Sequence, residues 1–222
     1  MINIDDYVQC LADLLKYSFG NRLLYVGLQG SYLRGEATEH SDIDIMVVID
    51  DLQIADLDQY RAAIQMLEYA DKSCGFICGK EDLANWNPLE IHHLLNSTKD
   101  YFGELRRLVP VYNERDIQKF VKLSVNNLYH ELCHRYLHGD REETYRAMPG
   151  IYKSVFFILQ NLHYLTCREW IATKADLLPR LGGKDYAVLK RSIDLSQGAE
   201  IACSESFELL FAWCQQTIKS KL

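Results

Sequence analysis

The chain has 222 residues, of which 48% are hydrophobic and 25% are charged. This length accommodates one large domain or two small ones, each with its own core. The formal net charge of -7 disfavours nucleic acid as the main partner, because such partners are usually bound by a basic face. No apolar run is long enough to cross a bilayer and the N-terminus lacks signal-peptide character, so we expect a cytoplasmic protein without a membrane partner.

The first half of the chain alternates between helical and strand patterns. Apolar residues at helical spacing predict a helix that begins after Asn3 and ends at Gly20. Short apolar runs predict strands over residues 23–28, 43–49 and 73–78. Two further helices are predicted, one from residue 56 or 58 to about residue 70 and one over residues 83–97.

The second half is predicted to be helical throughout. Its periodic segments cover residues 116–137, 151–168, 174–181, 185–195 and 205–218. Gly139-Asp140 and Pro149-Gly150 are interpreted as interruptions between helices. The chain therefore divides into a first half of helices and strands and an all-helical second half, with the boundary near residues 111–113.

The end of the first predicted strand has the character of a phosphate-binding turn. Gly30 lacks a side chain, so backbone N–H groups there can approach a phosphate closely, and a following helical turn adds a favourable dipole. Ser31 adds a hydroxyl donor. No Gly-Lys-Ser/Thr follows, so the turn is not of the Walker type.

Two carboxylates stand at the start of the second predicted strand. Asp42 and Asp44 are two residues apart, so on a strand they face the same side, while Ile43 points into the core. Two carboxylates on one face can bind one or two hard divalent cations. Beside a phosphate-binding turn, they indicate a magnesium site that bridges a triphosphate during in-line displacement at phosphorus.

The residues of the turn and of the second predicted strand together resemble a known family signature. The pattern Gly30-Ser31, Gly35 and Ser41-Asp42-Ile43-Asp44 resembles the signature of the DNA polymerase beta nucleotidyltransferase superfamily. It looks most like the small bacterial antibiotic nucleotidyltransferases, of the aminoglycoside type, and the minimal nucleotidyltransferases. The resemblance implies an α+β fold: a nucleotidyltransferase domain over residues 1–112, with a short mixed sheet flanked by helices, and an all-helical acceptor-binding domain over residues 113–222.

The resemblance also implies a reaction. We expect an enzyme that moves a nucleoside monophosphate, AMP from ATP, to a hydroxyl of a small acceptor, with Mg²⁺ and release of pyrophosphate. An aminoglycoside is the leading acceptor, which implies a role in antibiotic resistance, and the acidic charge balance suits a cationic acceptor. Gly30 and Ser31 would hold phosphates and Asp42 and Asp44 the metal, whereas Arg34 either contacts phosphate or faces solvent.

A second likeness lies in the helical half. The run from Phe156 through Leu165 to Ile171-Ala172-Thr173-Lys174 is similar to the helix and lysine-containing turn of aminoglycoside adenylyltransferases. In that family the lysine contacts the triphosphate, so the likeness implies that Lys174 binds phosphate. Lys153 is a weaker candidate for the same role.

One expected acid is missing. Family members usually carry a third carboxylate on the strand after the Asp-x-Asp strand, where it binds metal or deprotonates the acceptor. The predicted strand over residues 73–78 has no acid; Asp71 precedes it, and Glu81 and Asp82 follow it. We favour Asp71 as the catalytic carboxylate because a ligand should lie near the strand end. If none serves, the helical domain activates the acceptor, or the enzyme is slow or degenerate.

Three other interpretations remain open. His130-Glu131-Leu132-Cys133-His134 matches HExxH, which on a helix can bind zinc with the glutamate as general base, although no third ligand follows in a recognised pattern. A toxin–antitoxin type nucleotidyltransferase would modify a protein or tRNA. A degenerate module would bind the nucleotide without catalysis.

Overall fold

The structure is a computed structural model that describes residues 2–199 and 201–220. These residues fall into two compact units, of which the first ends at Tyr112 and the second begins at Asn113. The first unit contains a sheet and helices, and the regular elements of the second are all helical. The α+β class predicted from the sequence is confirmed.

The first unit is built from short elements. In chain order they are α1 (Ile4–Phe19), β1 (Leu23–Leu28), α2 (Gly30–Arg34), β2 (Ile43–Ile49), α3 (Ile54–Gln65), β3 (Ser73–Gly79), α4 (Lys80–Ala84), α5 (Pro88–Asn96) and β4 (Lys99–Phe102). Short 3₁₀ turns cover Gly20–Arg22, Ala70–Lys72 and Leu105–Arg107.

The second unit is built mainly from long helices. They are α6 (Glu114–His138), α7 (Arg141–Cys167), α8 (Lys174–Leu177), α9 (Gly183–Ser196) and α10 (Cys203–Lys219), with a 3₁₀ turn at Leu178–Arg180. Buried apolar side chains of α6, α7, α9 and α10 form one core, and Trp213 at its centre donates from its indole nitrogen to Asp185 Oδ1 over 2.7 Å. Within residues 2–199 and 201–220, no helix combines the length and apolarity needed to cross a bilayer.

The sheet of the first unit is mixed, as expected. Among the described residues it has four strands in the order β3-β2-β1-β4. β1 is antiparallel to both β2 and β4, whereas β2 and β3 are parallel. Alternation along β2 divides its side chains between two cores: Ile45 and Val47 pack with α1, and Met46 and Val48 lie on the opposite face.

The first helix follows the predicted signals. The Asn3 side chain accepts a hydrogen bond from the backbone N–H of Asp6 and so caps α1. Leu11 and Leu15, one turn apart, are fully buried against the sheet. Gly20, at a φ of 55°, ends the helix in a conformation that a residue with a side chain rarely adopts.

In the first unit, two predicted helices were wrong in their bounds and one strand was missed. The helix predicted to about residue 70 ends at Gln65. The helix predicted over residues 83–97 is divided into α4 and α5, because Asn87 caps α5 through a bond from the N–H of Leu89 and Pro88 begins it. The strand β4 was not predicted, since its four residues Lys99–Phe102 carry no long apolar run.

The predicted break at Pro149-Gly150 was also wrong. The helix α7 continues through both residues from Arg141 to Cys167. Met148 and Tyr152, on either side of the break, are buried in the core of the second unit. Burial of this apolar face outweighs the local cost of proline and glycine in a helix.

Candidate active site

The backbone at Gly30 lies directly against the carboxylate of Asp44. The N–H of Gln29 donates to the Asp44 carbonyl over 2.8 Å, which joins the end of β1 to the start of β2. Gly30 has a φ of 71°, and a Cβ placed there would lie 1.9 Å from Asp44 Oδ2. Glycine is therefore required at this position for two reasons: the backbone conformation and the close approach of the carboxylate.

The predicted turn after β1 is the short helix α2. It contains Ser31 as its second residue and ends at Gly35, whose φ of 68° is the left-handed conformation of a glycine C-cap. The N–H of Glu36 then donates to the Ser31 carbonyl over 2.9 Å. This bond closes the turn on itself, and the bond from the Gln29 N–H to the Asp44 carbonyl joins the start of the turn to β2.

Asp42 and Asp44 differ in their exposure. Asp42 precedes β2 and is exposed, and Asp44 is the second residue of the strand and half-buried. Asp44 alternates with the buried Ile43 and Ile45, so it lies on the face of Met46, away from α1. This placement confirms the predicted inward direction of Ile43.

The electrostatics of Asp44 suit a cation ligand. Burial raises the pKa of Asp44, the negative charge of Asp42 raises it further, and Arg34 opposes both effects. Two neighbouring carboxylates with partial burial are stabilised when a divalent cation binds them, and carboxylate oxygen is the donor that Mg²⁺ prefers. Within the described parts of the chain no cluster of three or more potential ligands forms, so phosphate oxygens and water would complete the coordination.

Arg34 is paired with Glu36, and its charge also acts on His93 of α5. Its Nε donates to Glu36 Oε2 over 2.8 Å, and both side chains are largely shielded from solvent. Burial lowers the pKa of His93 to about 4, with further contributions from the charges of His92 and Arg34. Sequence reasoning did not assign His93 to the site, because nothing in the local pattern brings α5 close to Arg34.

A second link holds the same region together. The amide nitrogen of Gln29 donates to Thr98 Oγ1 over 2.8 Å. The Thr98 hydroxyl in turn donates to the Leu94 carbonyl over 2.7 Å. The residue before Gly30 is thereby fastened to the end of α5, which restrains the turn beside Asp44.

The position beside Asp44 on the neighbouring strand carries a thiol. In the parallel register of β2 and β3, Asp44 is opposite Cys74, and opposite residues of paired strands share a face of the sheet. Cys74 is exposed. The strand thus presents a cysteine at the place where a carboxylate would stand beside Asp44.

Asp71 lies toward α1. It is exposed in the 3₁₀ turn before β3. The pKa of Tyr7 is raised mainly by burial and also by the charge of Asp71. Tyr7 belongs to α1 and to the core on the face opposite that of Asp44. The catalytic role of Asp71 stays a prediction.

Of the two acids after β3, Asp82 has a local structural role. Asp82 Oδ2 accepts from the N–H of Gly79 over 3.0 Å and so caps α4. Glu81 and Asp82 follow the end of β3, whereas Asp44 is paired near its beginning.

The lysine candidates lie in the second unit. Lys174 is the first residue of α8, and its Nζ lies 5.9 Å from the centre of the Phe156 ring, within cation–π range. The N-cap Thr173 accepts from the N–H of Asp176 over 3.1 Å and begins the helix. Lys153 is exposed on α7. Phosphate binding by either lysine stays a prediction.

Among the described residues, the HExxH segment lacks the ligand set of a zinc peptidase. Glu131, the proposed general base, accepts a charged hydrogen bond from Arg135 Nε over 2.9 Å. The residues that the structure describes contain no cluster of three or more metal-ligand side chains around it. A catalytic zinc site of the peptidase type uses three protein ligands.

Comparison with known proteins identifies the domain family of the first unit. Residues 15–101 match the family model of the nucleotidyltransferase domain. The match contains Gly30, Ser31, Asp42 and Asp44 in one continuous stretch. Residues 15–101 of the first unit therefore belong to the nucleotidyltransferase domain family. The superfamily inferred from the resemblance is confirmed.

Two individual proteins resemble parts or all of the chain. Over 50 residues the chain is 44% identical to "Putative protein adenylyltransferase MJ1379" of Methanocaldococcus jannaschii; the match covers 22% of this chain and 47% of that relative, so it spans less than half of the relative's length. The crystal structure of spectinomycin adenyltransferase AAD(9) from Enterococcus faecialis, with ATP and spectinomycin, matches with a TM-score of 0.62. That likeness covers 98% of this chain and 100% of the other at 12% identity, and it shows a shared fold.

Proposed function

We propose that the chain transfers AMP from ATP to a hydroxyl group of a small acceptor. The observation that carries the proposal is the close approach of the Gly30 backbone to the Asp44 carboxylate, which supports a phosphate-binding role for the turn beside a metal-binding role for Asp42 and Asp44. The matched nucleotidyltransferase domain supports the reaction class.

The residues of the first unit have distinct roles in this proposal. Backbone N–H groups at Gly30 and Ser31, with the Ser31 hydroxyl, hold the terminal phosphates. Asp42 and Asp44 hold Mg²⁺, and Arg34 adds positive charge beside them. A bound magnesium ion supplies charge neutralisation for the triphosphate and for the departing pyrophosphate.

The proposed reaction is a single displacement at the α-phosphorus of ATP. The acceptor oxygen forms a bond to that phosphorus, the bond to the bridging oxygen breaks, and pyrophosphate leaves. The proton of the acceptor hydroxyl passes to a base, for which Asp71 is the candidate from the sequence. Lys174 of the second unit is proposed to offset phosphate charge.

A small, cationic and hydroxylated acceptor, bound by the second unit, is our leading proposal. The net charge of -7 favours a cationic acceptor. The AAD(9) structure contains an antibiotic acceptor together with ATP, and its fold is shared along nearly the whole chain. Modification of an antibiotic of this kind would make the protein a resistance enzyme.

A protein acceptor is the second candidate. It is supported by the archaeal relative, whose name describes a protein adenylyltransferase and whose matched segment is 44% identical. This candidate uses the same nucleotide and metal residues and differs only in the acceptor.

The test measures pyrophosphate release from ATP and Mg²⁺ with a panel of aminoglycosides, spectinomycin and lincosamides, and in parallel with a cell extract. The control is the Asp42→Asn, Asp44→Asn double variant. Release that depends on one antibiotic and is lost in the control would support the small-acceptor proposal. Pyrophosphate release only with a protease-sensitive component of the extract would support a protein acceptor instead. ATP binding without release in either arm would contradict the proposed reaction.

A further inference from the structure

The last turns of α6 carry three histidines in a row along one face. His130, His134 and His138 are spaced by four residues, so their side chains lie above one another on the helix. All three are exposed. The ring centres of His130 and His134 are 6.3 Å apart, and those of His134 and His138 are 5.3 Å apart.

The two pairs of neighbouring histidines differ in whether their ring spacing suits a shared metal ion. A tetrahedral metal ion bound to one nitrogen of each ring, at about 2.0–2.1 Å, places the two ring centres about 5 Å apart. The pair His134 and His138 meets that spacing as it stands. The wider pair, His130 and His134, would need side-chain rotation to bind the same ion.

The surroundings of the pair also favour a cation. The positive charge of Arg135, between the two histidines in sequence, is offset by its ion pair with Glu131 at 2.9 Å. Asp140 follows His138 after one residue, and it caps α7 by accepting from the N–H of Glu143 over 3.0 Å. His138 is also the last residue of α6, and the carboxyl end of a helix favours a bound cation.

We propose that His134 and His138 form a binding site for one borderline divalent metal ion, Zn²⁺ or a related late transition metal, on the surface of the helical unit. Imidazole nitrogen suits these ions and not Mg²⁺, so the site is chemically distinct from the aspartate pair of the nucleotidyltransferase domain. Two protein ligands leave the remaining positions to water, in keeping with the absence of any three-residue cluster among the residues described. Binding is therefore weaker than at a four-ligand structural zinc site. A metal ion bound to both histidines would stabilise the last turn of α6.

The test is a calorimetric titration of the untagged full chain with Zn²⁺, in excess Mg²⁺ to occupy the aspartate pair. Wild type is compared with His134→Ala, His138→Ala and the matched control His130→Ala, all at exposed helical positions where alanine keeps the helix. Far-ultraviolet circular dichroism verifies that each variant is folded.

We expect one Zn²⁺ per chain in wild type and in His130→Ala, and a loss of affinity of at least about 10-fold in the other two variants. Zn²⁺ should also raise the unfolding temperature of wild type and not that of His138→Ala. Equal affinity in wild type and His134→Ala would overturn the proposal. An equal loss in His130→Ala and His138→Ala would also overturn it, because binding would then be spread over surface side chains.

Discussion

A side chain at Gly30 cannot coexist with the carboxylate of Asp44 in its present position. The Cβ would lie 1.9 Å from Oδ2, at a φ of 71°. Gly35, five residues later, has a similar φ of 68°, and a Cβ there would meet nothing within 4 Å. A substitution at Gly35 therefore tests the cost of the backbone conformation alone, whereas a substitution at Gly30 also displaces Asp44.

The first prediction uses this pair. Gly35→Ala should cost about 1–2 kcal/mol of unfolding free energy for its left-handed conformation and leave most activity intact. Gly30→Ala should cost more and lower the rate of AMP transfer by about 100-fold, because the turn and the carboxylate are forced apart. Urea unfolding and initial rates of pyrophosphate release measure both effects. Equal activity in the two variants would contradict the proposed role of Gly30.

The second prediction concerns the charge of Asp44. Since its pKa is raised in the folded state, the ionised form opposes folding, and the contribution of Asp44 to the stability of the metal-free protein should fall as pH rises above the unfolded value of 3.8. Asp44→Asn should therefore unfold at a higher temperature than wild type in neutral buffer without metal. Its transfer rate should fall about 100- to 1000-fold, the scale of several kcal/mol of lost charge stabilisation.

Magnesium supplies the control for that experiment. Added Mg²⁺ should raise the unfolding temperature of wild type and leave Asp44→Asn nearly unchanged, because a ligand stabilises only the form that binds it. If Mg²⁺ stabilised both proteins equally, the aspartate pair would not be the metal site.

The third prediction concerns the missing carboxylate. Cys74 is opposite Asp44 in the β2–β3 register, so Cys74→Asp would add an acid on the same face of the sheet. We expect this variant to raise the transfer rate by about 10-fold, below the full range for a positioned general base. Cys74→Ser is the matched control and should change little.

Asp71→Asn completes the comparison. If Asp71 is the base, this variant loses at least about 100-fold in rate and Cys74→Asp restores part of it. If the rate is unchanged, the acceptor is activated by another group.

The fourth prediction concerns stability in α7. Pro149 and Gly150 are exposed inside this helix, and a Cβ at Gly150 would meet nothing within 4 Å. Pro149→Ala should raise the free energy of unfolding by about 1–3 kcal/mol and Gly150→Ala by about 0.5–1 kcal/mol. Denaturant titrations would measure both, and a destabilised Pro149→Ala would contradict a continuous α7.

Local patterns predicted the elements that form the site. The strands β1 and β2 were predicted with the bounds that the structure has, because each is a compact apolar run, and the turn between them is marked by Gly30 and Gly35. The direction of Ile43 into the core followed from alternation along β2.

The remaining features depend on contacts distant in sequence. The register that puts Cys74 beside Asp44, and the position of Asp71 toward α1, depend on how β3 docks, which a single strand pattern does not encode. The short strand β4 is a strand because it pairs with β1, and its own sequence pattern does not predict that pairing. The continuity of α7 depends on the tertiary burial of Tyr152 and its neighbours.

The most direct test of the account follows label from ATP into the acceptor. Wild-type protein and Mg²⁺ are incubated with the active acceptor from the panel and with ATP labelled at either the α- or the γ-phosphate. We predict that the α label becomes attached to the acceptor, that the γ label leaves as pyrophosphate, and that both results require Asp42 and Asp44. Transfer of the γ label, or α-label transfer that survives in the Asp42→Asn, Asp44→Asn variant, would contradict nucleotidyl transfer at this site.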